Sequence, residues 1–358
     1  MEPIKLLIID DSSVIRAVIN EVLKDEADII VVGEAKDPLI AREQIKKLNP
    51  DVLTLDVEMP KMDGITFLKN LMRLRPMPVV MLSTLTTKGA DTTLDSLEIG
   101  AIDFIAKPSF EELIANKSIF KANLIRKIKF AASVDNKNHK IASASSKVDG
   151  SIVHSFSGCQ RSNHIVAIGA STGGTEAVKR IITTLPSNCP PIVITIHIPE
   201  TFSARFAKRM DTYCACKVQE ARHGQKIKEG NVYIAPGNMH LKVEAKGGAL
   251  FCVLEDSIEV NRHKPAVDVL FNSLELLGNN VQGVLLTGMG QDGAKGLLKL
   301  KNAGAMTIIQ DEASSLIWGM PGSAHALNAH VKECSISNVA KEILAYASLD
   351  RSSMKEVK

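Results

Sequence analysis

The sequence predicts two doubly wound α/β domains with parallel sheets, joined by a polar linker. Three observations predict it. Short apolar runs alternate with stretches whose apolar residues recur at helical spacing. That alternation occurs twice, and between the two the apolar content fades over residues 123–161. The chain also has 358 residues, more than one hydrophobic core ordinarily organises. The expected boundaries are 1–122 for the first domain, 123–161 for the linker and 162–350 for the second domain.

In the first domain, Ile4–Ile9, Val52–Leu55, Val79–Leu82 and Phe104–Ala106 read as strands. A strand covered on both faces needs no polar alternation, so unbroken apolar runs mark the interior of a parallel sheet. Between the first two runs, Val14, Ile15, Val18, Ile19, Val22 and Leu23 follow helical spacing, with Ser12 or Ser13 as the N-cap. From about Asn123 the chain starts as the tail of a helix. It then turns polar and small, as in A-S-V-D-N-K-N-H-K and S-A-S-S-K-V-D-G-S. In the second domain, Ile165–Ile168, Ile192–Ile196, Val232–Ala235 and Val281–Leu286 read as strands, and Glu176–Ile182 and Ala294–Leu300 as helices.

Composition narrows the class. Apolar residues make up 45% and charged residues 23%, the balance of an ordinary soluble globular protein. The N-terminus has no basic stretch followed by an apolar core, and no apolar run reaches ~20 residues. Neither a signal peptide nor membrane insertion is expected. The six cysteines are scattered; only Cys214 and Cys216 lie close, as C-A-C, which is not a common zinc-ligand spacing. Reduced thiols and a cytoplasmic location are the expectation. The net charge of +3 divides into −5 over residues 1–121, +5 over 122–162 and +3 over the remainder. No folded region is strongly basic, so no nucleic-acid partner is expected.

In a parallel sheet, ligands gather at the carboxyl ends of the strands. Asp10, Asp11, Asp56, Ser83 and Lys107 all fall just past predicted strands of the first domain. Alone, each carboxylate reads as a solvated loop residue. Together they suit a hard cation, since Mg²⁺ takes a few carboxylate oxygens plus water and phosphate. Asp56 is then placed to attack a phosphoryl donor, with the cation and Lys107 neutralising the phosphoryl oxygens. The stretches L-L-I-I-D-D-S, L-D-V-E-M-P-K-M-D-G and D-F-I-A-K-P resemble the receiver domain of bacterial response regulators. The resemblance implies a flavodoxin-like fold, phosphorylation of Asp56 by a chemotaxis histidine kinase, Mg²⁺ held by Asp10, Asp11 and Asp56, and phosphoryl sensing by Ser83 and Lys107.

The second constellation begins at G-A-S-T-G, Gly169 to Gly173, which fits the nucleophile pattern G-x-S-x-G between a strand and a helix. A glycine-rich turn of this kind also binds phosphate at a helix N-terminus. It lacks both the dinucleotide fingerprint and the Walker lysine. A serine needs a base, and His197 follows the next strand. An acid is supplied by Asp292, in the turn G-M-G-Q-D-G after a later strand. Alone, His197 reads as a strand cap and Asp292 as a turn residue; together with Ser171 they can face one crevice. The order Ser, His, Asp differs from that of α/β-hydrolases, so that fold is not implied. Roles rather than order define a triad: Ser171 attacks, His197 carries the proton, Asp292 fixes the imidazole. Thr172 is the natural first oxyanion donor.

The stretches A-I-G-A-S-T-G-G-T-E-A, H-I-P, Y-I-A-P-G-N-M-H-L, H-K-P-A-V-D-V-L-F and L-T-G-M-G-Q-D-G-A-K-G-L resemble the chemotaxis protein-glutamate methylesterase family. The resemblance implies a Rossmann-like catalytic domain with a triad at Ser171, His197 and Asp292. It adds the Met289 backbone N–H as an oxyanion donor and requires no cofactor for the ester chemistry. The substrates implied are γ-glutamyl methyl esters of methyl-accepting chemoreceptors, with deamidation of receptor glutamines as a second activity. A receiver that restrains the crevice until phosphorylated is also implied. His240 and His263 read equally as groove or structural residues, and Met320 and Pro321 as shaping a nearby loop. Asn238 stands where the family often has aspartate. The alternative is a response regulator with a binding output, to a nucleotide or nucleic acid, which would leave His197 and Asp292 unexplained.

Overall fold

The computed structural model describes residues 2–84, 87–108, 110–134, 156, 158, 159 and 164–349. The chain divides into two compact units between residues 147 and 148. No helix among the described residues is long and apolar enough to cross a membrane.

The first unit alternates β1 (Ile4–Ile9), α1 (Ser13–Leu23), β2 (Ile29–Ala35), α2 (Pro38–Leu48), β3 (Val52–Asp56), α3 (Gly64–Leu74), β4 (Val79–Ser83), α4 (Thr87–Ile99), β5 (Asp103–Ala106) and α5 (Phe110–Ser133). Its sheet is wholly parallel, in the order β2-β1-β3-β4-β5. Helix starts are written in side chains: the Ser12 hydroxyl accepts from Ile15 N–H, and Asp37 and Asp63 cap α2 and α3 in the same way. β2 was not among the predicted strands; it lies at the sheet edge. The expected boundary at residue 122 falls inside α5, which runs on to Ser133. The physical reason is burial: Leu124, Ile128 and Ala131 lie in the core with Leu6, Ile8 and Val80. The remainder of the expected linker falls mostly outside the described residues.

The second unit contains β6 (Ile165–Ala170), α6 (Gly174–Ile182), β7 (Ile192–Ile196), α7 (Glu200–Tyr213), β8 (Lys217–Glu220), β9 (Gln225–Lys226), β10 (Asn231–Ile234), β11 (His240–Lys246), β12 (Ala249–Glu255), α8 (Val267–Ser273), β13 (Val281–Leu285), α9 (Ala294–Asn302), β14 (Met306–Gln310), α10 (Gly319–Ala326), β15 (Lys332–Cys334) and α11 (Ile336–Ala347). Seven strands form one parallel sheet in the order β15-β14-β13-β6-β7-β10-β8. β6, β7 and β13 are buried along their whole length, as covered parallel strands must be. The chain leaves β6 toward β7 on one side and returns to β13 on the other, so the carboxyl ends of these three strands frame a topological switch point, where α/β sheets place ligands. A separate antiparallel sheet, in the order β11-β12-β9, was not foreseen. Its core residues Leu241, Val243, Leu250 and Cys252 pack with Leu270 and Phe271 of α8.

Candidate active site

Ser171, His197 and Asp292 follow β6, β7 and the β13 turn, three neighbouring strands of the sheet. Backbone bonds fix the first two: Ser171 N–H donates to the Thr287 carbonyl (3.1 Å) and His197 N–H to the Ala170 carbonyl (3.2 Å). Ser171 sits on a sharp turn closed by a 2.7 Å bond from Gly174 N–H to its own carbonyl. Gly173 has φ of +76° there, a conformation that resists any side chain.

Asp292 is almost fully buried and saturated with donors. Its Oδ2 lies 2.9 Å from His197 Nε2 and accepts from Val267 N–H (2.6 Å). Its Oδ1 accepts from Asn261 Nδ2 (2.7 Å), Asp268 N–H (3.1 Å) and Gly293 N–H (3.0 Å). Val267 and Asp268 open α8, so this carboxylate takes up two N–H groups that the helix itself cannot pair. Burial raises the Asp292 pKa, but the His197 bond and charge, with Asn261 and Val267, outweigh it and hold the acid at about 2. Because the folded value lies below the ordinary 3.8, the stability this group contributes is complete above about pH 4 and is lost as pH falls through about 2. Between those limits the wild-type unfolding free energy should fall by roughly 2 kcal/mol more than that of Asp292→Asn. Urea titrations at several pH values check this; parallel pH curves for the two proteins would refute it.

His197 is buried, with 6% of its side chain exposed. Since Nε2 faces a carboxylate, the neutral ring carries its proton there and Nδ1 is the basic nitrogen. Nδ1 has no hydrogen-bond partner among the described residues. One face of the ring is covered by His263, with centroids 3.6 Å apart and planes at 12°.

His263 and Asn261 arrive on the same turn. Val260 and His263 exchange both backbone hydrogen bonds (3.1 and 3.0 Å), and the two residues between them, Asn261 and Arg262, have φ of +54° and +66°. This is the geometry of a tight two-residue hairpin turn, in which asparagine is favoured at the first central position. The Asn261 amide bridges two acids, reaching Asp268 Oδ2 (2.8 Å) as well as Asp292. Asp268, raised by burial and by the charge of Asp292, is also tied to Gly296 N–H (2.6 Å). Asn261 and Asp268 were missed in the sequence. His240 is a strut: both ring nitrogens are used, Nε2 toward the Ile258 carbonyl (3.0 Å) and Nδ1 by Ala266 N–H (3.1 Å).

The backbone that carries Thr172 and Met289 is closely packed. A Cβ on Gly288 would come 2.8 Å from Ser171 Cβ and 3.1 Å from Ser171 N, so only glycine lets that turn approach the serine. The Thr172 carbonyl accepts from Thr287 Oγ1 (3.1 Å), and Met320 N–H donates to the Gly288 carbonyl (2.8 Å). Met320 is fully buried against this turn.

In the first unit, Asp10 and Asp56 stand buried at the ends of β1 and β3. Lys107 Nζ, just past β5, lies 2.8 Å from Asp10 Oδ2 and 2.8 Å from Asp56 Oδ1. Burial and the charge of Asp10, offset by Lys107, push Asp56 up to about 6. Carboxylate oxygens of Asp10, Asp11 and Asp56 lie within 4.8 Å of one another. Three clustered hard donors, two of them buried against each other, fit a Mg²⁺ ion. Ser83 ends β4, with its hydroxyl toward the Thr84 and Gly89 carbonyls (both 3.2 Å).

A family model described as CheB methylesterase matches residues 166–343, and one described as response regulator receiver domain matches residues 6–117. The chain is 49% identical to a protein of Saccharophagus degradans named protein-glutamate methylesterase/protein-glutamine glutaminase 2, over 97% of this chain and 99% of that one. It is 46% identical to a Xanthomonas euvesicatoria protein named protein-glutamate methylesterase/protein-glutamine glutaminase 1, over 98% and 99%. The crystal structure of the Thermotoga maritima CheB methylesterase catalytic domain superposes with a TM-score of 0.50 at 36% identity, covering 53% of this chain and 98% of that one.

Proposed function

The chain belongs to the CheB methylesterase family and carries a receiver domain ahead of the esterase domain, and from that membership we propose a phosphorylation-controlled hydrolase that removes methyl groups from glutamate methyl esters of chemoreceptors and deamidates receptor glutamines. The observation that carries the reading is the His197–Asp292 pair at 2.9 Å, set beside Ser171 on adjacent strand ends with His197 Nδ1 left for the reaction.

In this reading Ser171 Oγ attacks the ester carbonyl while His197 Nδ1 takes its proton. Asp292 holds Nε2–H and offsets the imidazolium charge. The N–H groups of Thr172 and Met289 receive the oxyanion. The proton on Nδ1 then passes to the departing methoxide, giving methanol and an acyl-serine. Water, deprotonated by the same nitrogen, attacks the acyl carbon; the bond to Ser171 Oγ breaks, the serine takes back the proton from Nδ1, and glutamate leaves. A glutamine side chain follows the same route with ammonia leaving.

Asn261 acts through Asp292 as a positioning residue. Removing a hydrogen bond to a charged group is worth about 1.5–3 kcal/mol, so Asn261→Ala should lower kcat by about ten- to a hundredfold. KM should stay nearly constant, because Asn261 bonds the buried acids rather than substrate. Steady-state kinetics decide; a change confined to KM would place Asn261 in the substrate groove instead.

In the receiver, Asp10, Asp11 and Asp56 would hold Mg²⁺, which when bound screens the charge of the phosphoryl oxygens. Asp56 accepts the phosphoryl group from a chemotaxis histidine kinase, and Lys107 and Ser83 sense it. Release of methanol from methylated receptor membranes, with and without acetyl phosphate, tests the whole reading. The phosphodonor should raise the rate, and a chain starting at Ser162 should be fast and indifferent to it. Methanol release at the spontaneous rate under both conditions would end the proposal.

A further inference from the structure

At the C-terminal end of α10, three side chains with metal-binding atoms converge away from the triad. His325 lies in the last turn of α10, Glu333 on β15, and His330 on the connection between them. Each offers one ligand atom, and the three atoms lie within 4.8 Å of one another. His325 Nδ1 is 3.0 Å from Glu333 Oε2. The two imidazoles stack with centroids 5.0 Å apart and planes at 17°. His330 Nδ1 is buried and has no hydrogen-bond partner among the described residues.

We propose that His325, His330 and Glu333 form a binding site for a borderline divalent transition-metal ion such as Zn²⁺ or Ni²⁺. The donor set decides the class. Two imidazole nitrogens and one carboxylate suit these ions, whereas Mg²⁺ and Ca²⁺ prefer oxygen throughout. An ordinary surface ion pair explains His325 and Glu333 but leaves the buried nitrogen of His330 unsatisfied. Side-chain exposures of 51% for His325 and 33% for Glu333 leave a path for the ion and room for water as a fourth ligand.

The location gives the ion a consequence. It would join the last turn of α10 to β15. The first turn of α10 supports the Gly288–Gly290 segment, through Met320 N–H to the Gly288 carbonyl (2.8 Å) and, one turn on, Ser323 Oγ to the Gly290 carbonyl (3.2 Å). An ion at the far end would therefore brace the helix on which the Met289 turn rests.

The chain carries its own reporter. Trp318 is its only tryptophan, and its ring centroid lies 5.3 Å from that of His325. Ni²⁺ bound at this distance quenches indole emission. Titrating the full chain with NiCl₂ in Mg²⁺ buffer should quench Trp318 saturably at one equivalent, and ZnCl₂ added first should block the quenching. His330→Ala and Glu333→Gln leave His325 beside the indole; each should weaken the apparent Ni²⁺ affinity at least tenfold. Circular dichroism of both variants checks that the fold is kept, and Glu333→Gln is a surface change of nearly equal shape. Absence of saturable quenching in the wild type would overturn the proposal. So would equal affinities in wild type and Glu333→Gln, which would put the ion elsewhere.

Discussion

Replacing Ser171 by alanine should reduce the rate of ester hydrolysis by about 10⁶-fold, and His197→Ala should do the same, by analogy with a serine-protease triad. Asp292→Ala should cost about 10⁴-fold. Combining the changes should cost little more than the worst single one, because serine and histidine form one device and neither works without the other. The geometry supplies the ranking. Asp292 is held by Asn261 and three backbone N–H groups besides His197, a setting that on the proposed reading suits it to fix the ring and offset its charge. The ring keeps a second constraint, since it is stacked on His263. A His197 ring without Asp292 should thus stay partly oriented. Initial rates of methanol release measure all three variants. Near-native hydrolysis by Ser171→Ala would remove the serine from the mechanism, whatever the other variants did.

The second large effect is expected at the other end of the chain. Asp56→Asn should abolish labelling by acetyl phosphate in Mg²⁺ and with it all activation of the esterase. The amide keeps the shape of the side chain but loses the nucleophilic oxygen and the charge opposite Lys107, now 2.8 Å away. Lys107→Ala should separate two events: the protein should still take up phosphate but respond weakly to it, because the amine links Asp10 and Asp56 to the strand beside Ser83. Autoradiography against methanol release distinguishes them. Stoichiometric labelling of Asp56→Asn would move the acceptor to another residue.

The α/β class and the central strands were legible in the sequence because covered parallel strands are unbroken apolar runs, and those runs are where the eye and the physics agree. The groups at their carboxyl ends, Asp10, Asp56, Ser83, Ser171 and His197, could be named for the same reason: strand order was not needed to know which end of a strand they occupied. What was missed has no such period. β2 carries Gly33 and Glu34, and only part of its surface is buried, so its apolar run is too short to stand out. The β11–β12 hairpin carries a signal on one side only: polar–apolar alternation runs through Leu241–Lys246 up to Gly247-Gly248, both with positive φ, while the apolar run after them does not alternate. Asn261 left no signal of its kind. Its role comes from a turn that brings it to Asp292, 31 positions away, and no local pattern reports a meeting of that kind. His240 shows the converse: a histidine in a conspicuous motif whose two nitrogens are both occupied by backbone.

The order in which the strands enter the second sheet also governs what a ribosome releases. Synthesis runs from the N-terminus, and domains fold as units while it proceeds. β6 and β7 leave the exit tunnel with Ser171 and His197 long before β13 delivers Asp292 to the other side of β6. A nascent chain of that intermediate length holds a serine and an imidazole but lacks the carboxylate that orients the ring and the turn that carries Met289. The whole receiver core, through Ala131, has emerged earlier still. On the proposed reading, every newly made molecule therefore acquires its regulator before it can hydrolyse anything, and a message broken after the first domain yields a phosphate acceptor without an unrestrained esterase.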